Sequence, residues 1–283
     1  MRAGEFSIDH GEDYAVVTFG EGFDMLSSAP GGGYSEDIGC ISVGKETDGA
    51  FCIMPKTEGA KVTVRTGNYG RTAVAVIAVS DLRSGIGRAT ECCPETAGTH
   101  VVVIMDTDMP VSAMARATMT ATEAVTVVIQ DLVLSCDDTL SLGSGSAVQS
   151  ITAVRNTVSD VYLHGAGKHS KLGELIGVCT RDAVRESAER NGMTPELTGS
   201  VKRRLSRWCP QGSEVLSLDR DPEMLSAVSA CLFIDDERRM GLVPDEVSRN
   251  VIADAVSVLF GHDADPREDP IGSVIDSYRS AND

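Results

Sequence analysis

The chain has 283 residues, 42% of them hydrophobic, enough for one large domain or one domain with an appendage. Its formal net charge of −17, from 25 Lys+Arg against 42 Asp+Glu, repels phosphate backbones and anionic lipid, so no nucleic acid and no membrane surface is expected as a partner. No apolar run reaches membrane-spanning length, and the acidic start MRAGEFSIDHGEDY lacks a signal core, so a cytoplasmic location is expected.

In chain order, Tyr14–Phe19 and Phe23–Ser28 read as strands, and the second ends in Ala29-Pro30-Gly31-Gly32-Gly33. Three consecutive glycines suit a sharp turn or a close backbone approach to a ligand. Short strands follow at Ile41–Val43, Ala50–Met54 and Lys61–Thr66. Thr72–Ser80 (TAVAVIAVS) and His100–Met105 (HVVVIM) are long enough and β-branched enough to be buried strands. Asp81–Gly98 between them has no clear assignment. Pro110 and Ser112 introduce a helix, with Ser112 as the expected N-cap. Its apolar stripe is Met114, Ala117, Ala121, Val125, Val128 and Leu132. Leu132–Ser135 reads as the start of a further strand.

The stretch Ser141–Gly177 carries most of the chemistry. A Gly/Ser turn opens it, strands are expected at Val148–Val154 and Val158–Leu163, and a second glycine turn, His164–His169, feeds a helix. Ser170 is the expected N-cap of that helix, Leu172, Leu175, Ile176, Cys179, Ala183 and Ser187 its inner face, and Asn191-Gly192 its stop. Further helices are expected from Asp221-Pro222-Glu223 and from Val243-Pro244-Asp245. The fold expected is α+β: a mixed β-sheet core with packed helices over residues 1–200, and a helical C-terminal extension over 201–283.

The glycine turn Gly165-Ala166-Gly167-Lys168-His169-Ser170 is not a phosphate loop. Tyr162 stands where the first glycine belongs, and His169 follows the lysine where Ser or Thr is needed. A glycine turn before a helix N-terminus still presents free backbone N–H groups to an anion or a developing oxyanion. His169 near Glu174 suits a base steered by a carboxylate. Ser144 and Ser146, on a Gly-x-Gly scaffold, aim two hydroxyls at a ligand or simply close a loop. The eight cysteines form no C-x-x-C pair and read as reduced core residues. Cys92–Cys93 with His100, and His164 with His169, are the weak metal candidates, and no metal or cofactor is expected.

Together these residues resemble the adenosylcobinamide amidohydrolase (CbiZ-type) family. The resemblance rests on His164-Gly165-Ala166-Gly167-Lys168-His169-Ser170-Lys171-Leu172-Gly173-Glu174-Leu175-Ile176-Gly177, on Ala121-Thr122-Glu123-Ala124, and on Leu26-Ser27-Ser28-Ala29 with Gly31–Gly33. It is strongest from His100 to about Arg190. Two departures stand out: the family's Thr-Gly-Thr-Gly-Thr-Asp loop is here Leu142-Gly143-Ser144-Gly145-Ser146-Ala147, and the asparagine of its Thr-Ile-Asn segment has no counterpart in Thr99-His100-Val101.

The resemblance implies hydrolysis of the amide joining aminopropanol to the corrin periphery, giving adenosylcobyric acid in corrinoid salvage. It implies a small-molecule corrinoid as partner, within a chain that is a candidate homo-oligomer. The catalytic candidates are His169 as base and acid, Glu174 orienting it, and Ser144 or Ser146 as donor or nucleophile. The substrate-binding candidates are Ser27, Ser28, Gly31, Gly32, Gly33, Gly143, Gly145, Gly167 and Lys171. Ala147 in place of the family's acid motivates an alternative, a non-catalytic corrinoid- or tetrapyrrole-binding protein. An amidohydrolase turned to another amide is a third reading.

Overall fold

The computed structural model describes residues 1–89, 98–136, 142–193 and 230–260, the last without 232, 236, 239 and 240. It has an α+β fold, with two main sheets and two long helices in residues 1–193. The chain divides into two compact units, Met1–Thr198 and Gly199–Asp283.

Four strands form the first sheet in the order β1 (Phe6–His10), β2 (Ala15–Phe19), β5 (Cys40–Val43), β6 (Phe51–Ile53). Six form the second, in the order β4 (Gly33–Ser35), β3 (Phe23–Ser27), β12 (Val148–Asn156), β10 (Gly98–Met105), β8 (Thr72–Ser80), β7 (Val62–Tyr69). A small ladder joins β9 (Ile86–Gly87) to β11 (Gly145–Ser146). Only β10 and β12 run parallel in the six-stranded sheet, in the register Val101↔Ile151. Their crossover is helix α1 (Val111–Asp131), and α2 (Lys171–Arg190) follows β12.

Side-chain alternation divides the core in two. Val74, Val76, Val101, Val103, Ile151 and Ala153 pack with the buried stripes of α1 and α2. Ile77, Val79, Val102, Ile104 and Val154 point the other way and meet Ala15, Val17, Ile41 and Val43 of the four-stranded sheet. A strand covered on both faces shows as a continuous apolar run, which is why Thr72–Ser80 is legible as a strand with its bounds intact. The expected stripes of α1 and α2 are buried, except that Leu175 is only partly so.

Three local expectations are corrected, and one unassigned segment is a strand. Val158–Leu163 is not a strand: Thr157 and Ser159 turn their hydroxyls onto the carbonyls of Gly22 and Asp106, and only Tyr162 makes an isolated bridge, to Asp108. Ser112 is not the N-cap of α1. Pro110 is, and its carbonyl accepts from the amides of Ala113 and Met114. Leu132–Ser135 forms no strand beyond a bridge between Ser135 and Leu142. The N-terminal segment, unassigned above, contributes β1, whose Phe6 and Ile8 face the core while Ser7 and Asp9 face solvent.

In the C-terminal unit, α3 (Asp245–Phe260) buries Ile252 and Val256. Arg238 bridges Asp235 and Asp245, and Arg249 also pairs with Asp245. The start of the helix expected from Asp221-Pro222-Glu223 and the Cys92–Cys93 pair lie outside the described residues, but Cys231, expected on that helix's inner face, is helical and buried.

Candidate active site

The loops that leave the parallel strands β10 and β12 meet at one end of the sheet. Such carboxyl ends are the usual ligand side of a parallel sheet. Asp108 accepts the amide of Leu163 on its carbonyl, and Thr107 donates its hydroxyl to the Val161 carbonyl, so the post-β12 loop is tied to the post-β10 loop. The loop then folds back along α1. Buried Ala166 gives its carbonyl to the Thr120 hydroxyl at 2.9 Å.

The turn is closed by Ser170. Its hydroxyl donates to the Gly167 carbonyl (2.8 Å) and accepts from the Gly173 amide (3.0 Å), which caps α2 as the sequence predicts. Gly173 is needed because a Cβ there would overlap the Gly167 carbonyl oxygen. Gly173→Ala is therefore expected to push the turn off the helix and to cost roughly 1–3 kcal/mol, measured by urea denaturation. Unchanged stability would contradict this close approach. The amides of Lys171 and Leu172 find no acceptor among the described residues, as expected for a helix's first turn.

His169 is exposed and makes no hydrogen bond with a described residue. Glu174 does not orient it: the Glu174 carboxylate takes the Lys171 ammonium at 2.6 Å. That hydrogen bond, helped by the carboxylate's charge and opposed by desolvation, sets the Lys171 pKa above the ordinary lysine value. Lys171 also lies over the Tyr69 ring, 5.2 Å from its centroid. Lys168 pairs with Glu123 of α1 at 3.1 Å. A groove of about 290 Å³ runs between α1 and α2, floored by Ala124, Val127 and Gly177 and rimmed by Glu123, Lys168 and Glu174. Glu123 and Lys168 pair with each other and Glu174 pairs with Lys171, so little unpaired charge faces the groove.

Ser144 and Ser146 lie elsewhere. They precede β12 at its other end, next to β9. The Ser144 carbonyl accepts from Thr126, and Ala166 from Thr120; six residues on α1 place these two anchors roughly 120° apart around the helix. Among the described residues no hydrogen bond or ion pair joins the serine loop to the histidine turn. Both hydroxyls are also engaged: Ser144 accepts the Ala89 amide and Ser146 donates to the Val148 carbonyl. Gly143 is packed against Ile86, and Gly145 faces Gln149.

Ser27 and Ser28 fasten β3 to β12. Ser27 shares a 2.7 Å hydrogen bond with Thr152, and Ser28 both donates to the Ile151 carbonyl and accepts its amide. Gly31 and Gly33 have positive φ and open space where a Cβ would lie. Gly167 is half-buried beside Arg116.

Two clusters escaped the sequence reading. His100 Nδ1 is 2.8 Å from Ser150 Oγ, with the ring 4% exposed and Nε2 unpartnered among the described residues. Burial lowers its pKa, so it is neutral at pH 7. The alternation of HVVVIM places His100 on the inner face with Val102 and Ile104, but nothing local identifies Ser150 as its partner. The second cluster is Asp24, Arg155, Tyr34 and Asp108. Arg155 donates to Asp24 Oδ2 from Nε (3.0 Å) and Nη2 (2.6 Å), and its other nitrogen donates to the Met109 carbonyl. Burial acts most strongly on Asp24 and raises its pKa. The hydrogen bonds from Arg155, Tyr34 and the Asp37 amide outweigh it and leave the pKa below the ordinary carboxylate value.

Among the described residues, no three His, Cys, Asp or Glu side chains are grouped to hold a metal ion, and no helix is long and apolar enough to cross a membrane. No curated protein matches the chain. The model of a protein family described as adenosylcobinamide amidohydrolase matches residues 40–195, more than half of the chain. The chain belongs to that family of hydrolases.

Proposed function

We propose that this chain hydrolyses adenosylcobinamide, adding water across the amide that joins aminopropanol to the corrin periphery and releasing aminopropanol and adenosylcobyric acid. The observation that carries this reading is the turn from His164 to Gly177. It combines an exposed histidine with two amides at the capped start of α2 that find no acceptor among the described residues.

In this reading His169 takes a proton from water as the water attacks the carbonyl carbon. The tetrahedral oxyanion is held by the amides of Lys171 and Leu172, where the helix end favours negative charge. His169 then gives its proton to the departing amine. Gly167 and Lys171 line the approach. Ser28 and the exposed turn Gly31–Gly33, with Gly145, contact the rest of a ligand much wider than the turn, while Ser27, Gly143, Ser144 and Ser146 hold the surrounding loops in shape. Glu174 acts through Lys171 rather than on His169. Hydrolysis in ¹⁸O-labelled water tests the reaction: one labelled oxygen is expected in the new carboxylate, and an unlabelled acid would exclude it.

A second reading, a corrinoid-binding protein without turnover, has its own support. The Ser144 and Ser146 hydroxyls are both occupied, and Ala147 brings no acid to their loop.

A further inference from the structure

Tyr34 stands on β4, the outermost strand of the six-stranded sheet. Aromatic residues make up 4% of this chain, yet this one is 40% exposed. Its phenol donates to Asp24 Oδ2 at 2.9 Å and accepts from Arg155 Nη2 at 3.1 Å. Both partners are themselves fixed. Asp24 is 5% exposed and also accepts the Asp37 amide, and Arg155 reaches the Met109 carbonyl and lies 3.7 Å from Asp108. An exposed tyrosine otherwise samples several rotamers; here hydrogen bonds to a buried ion pair hold the ring in one orientation. A ring already held in place loses little entropy when a ligand covers it.

The surroundings are open. Gly31 and Gly33 carry no side chain, and the space where their Cβ atoms would sit is empty. On its outer side β4 pairs with no strand among the described residues, which leaves a peptide edge to accept and donate hydrogen bonds. The same ion pair connects this shelf to the candidate catalytic turn, because the Asp108 beside Arg155 also accepts the Leu163 amide on its carbonyl.

We infer that Tyr34 is a stacking platform for a flat conjugated face of the ligand, with the open edge of β4 receiving its amide side arms. The proposal rests on the corrinoid reading above and adds a specificity-determining residue to it. The flat face belongs either to the corrin ring or to the adenine of the adenosyl group. The test measures binding of adenosylcobinamide, and of cobinamide lacking the adenosyl group, to the full chain and to two variants, with melting temperatures recorded alongside. Tyr34→Leu keeps bulk but removes the aromatic face, and is expected to weaken binding roughly 5- to 150-fold. Tyr34→Phe keeps the face and is expected to bind more tightly than Tyr34→Leu. A loss for both ligands assigns the ring to the corrin, and a loss for adenosylcobinamide alone assigns it to adenine. Unchanged binding by Tyr34→Leu, or equal losses in both variants, overturns the platform while leaving the corrinoid reading intact. If the wild-type chain binds neither ligand, the corrinoid reading falls and the platform with it.

Discussion

His169→Ala is expected to lower hydrolysis of adenosylcobinamide by roughly 10²–10⁴-fold, the range for losing a general acid–base group. It is expected to leave the melting temperature unchanged. The two halves of this expectation have separate grounds. His169 is exposed and hydrogen-bonds to no described residue, so its removal leaves neither a cavity nor an orphaned partner. Its neighbour Ser170 closes the turn through its own hydroxyl, so the amides of Lys171 and Leu172 stay in place. A variant that is folded but inactive supports the role given to His169. Unchanged turnover removes it, and His100, the buried histidine in the same family-matched region, becomes the residue to test.

Asp24→Ala carries the largest expected effect on stability. It leaves the Arg155 guanidinium in a largely buried site with its carboxylate gone, and breaking such a pair costs about 3–5 kcal/mol. The loss should exceed that of removing an exposed pair such as Lys171–Glu174, worth about 0–1 kcal/mol. The pH dependence has a definite sign. The folded-state pKa of Asp24 is depressed, so its contribution is fully present above the ordinary carboxylate pKa of about 3.9 and is lost as pH falls through the lower folded value. Asp24→Asn is therefore expected to flatten the fall in stability across that acid window. Parallel acid profiles for wild type and Asp24→Asn would contradict the assignment.

Periodicity made some of this molecule readable in advance, and its limits have physical causes. β8 and the stripes of α1 and α2 are buried on a regular period, so the sequence shows them directly. β4 is three exposed residues including a glycine and leaves no apolar trace. β1 is covered on one face only, and its polar residues mask the alternation. The turn and cap at His164–Ser170 are local and could be read as such. The His100–Ser150 and Asp24–Arg155 pairs join residues 50 and 131 positions apart. Those pairings follow from the order β3-β12-β10, in which a crossover helix brings distant strands together, and residue spacing does not encode that order. The same crossover fixes which turns of α1 receive the serine loop and the histidine turn, Thr126 for the first and Thr120 with Glu123 for the second, and local spacing does not encode that either.

The most direct measurement is to incubate the purified chain with adenosylcobinamide, separate the products by chromatography, and record protein-bound corrin absorbance in the same sample. Catalytic release of adenosylcobyric acid with an equal amount of aminopropanol is the predicted result. Retained corrin absorbance without product would contradict the hydrolase reading and favour the binding protein. Neither product nor bound corrinoid would contradict both.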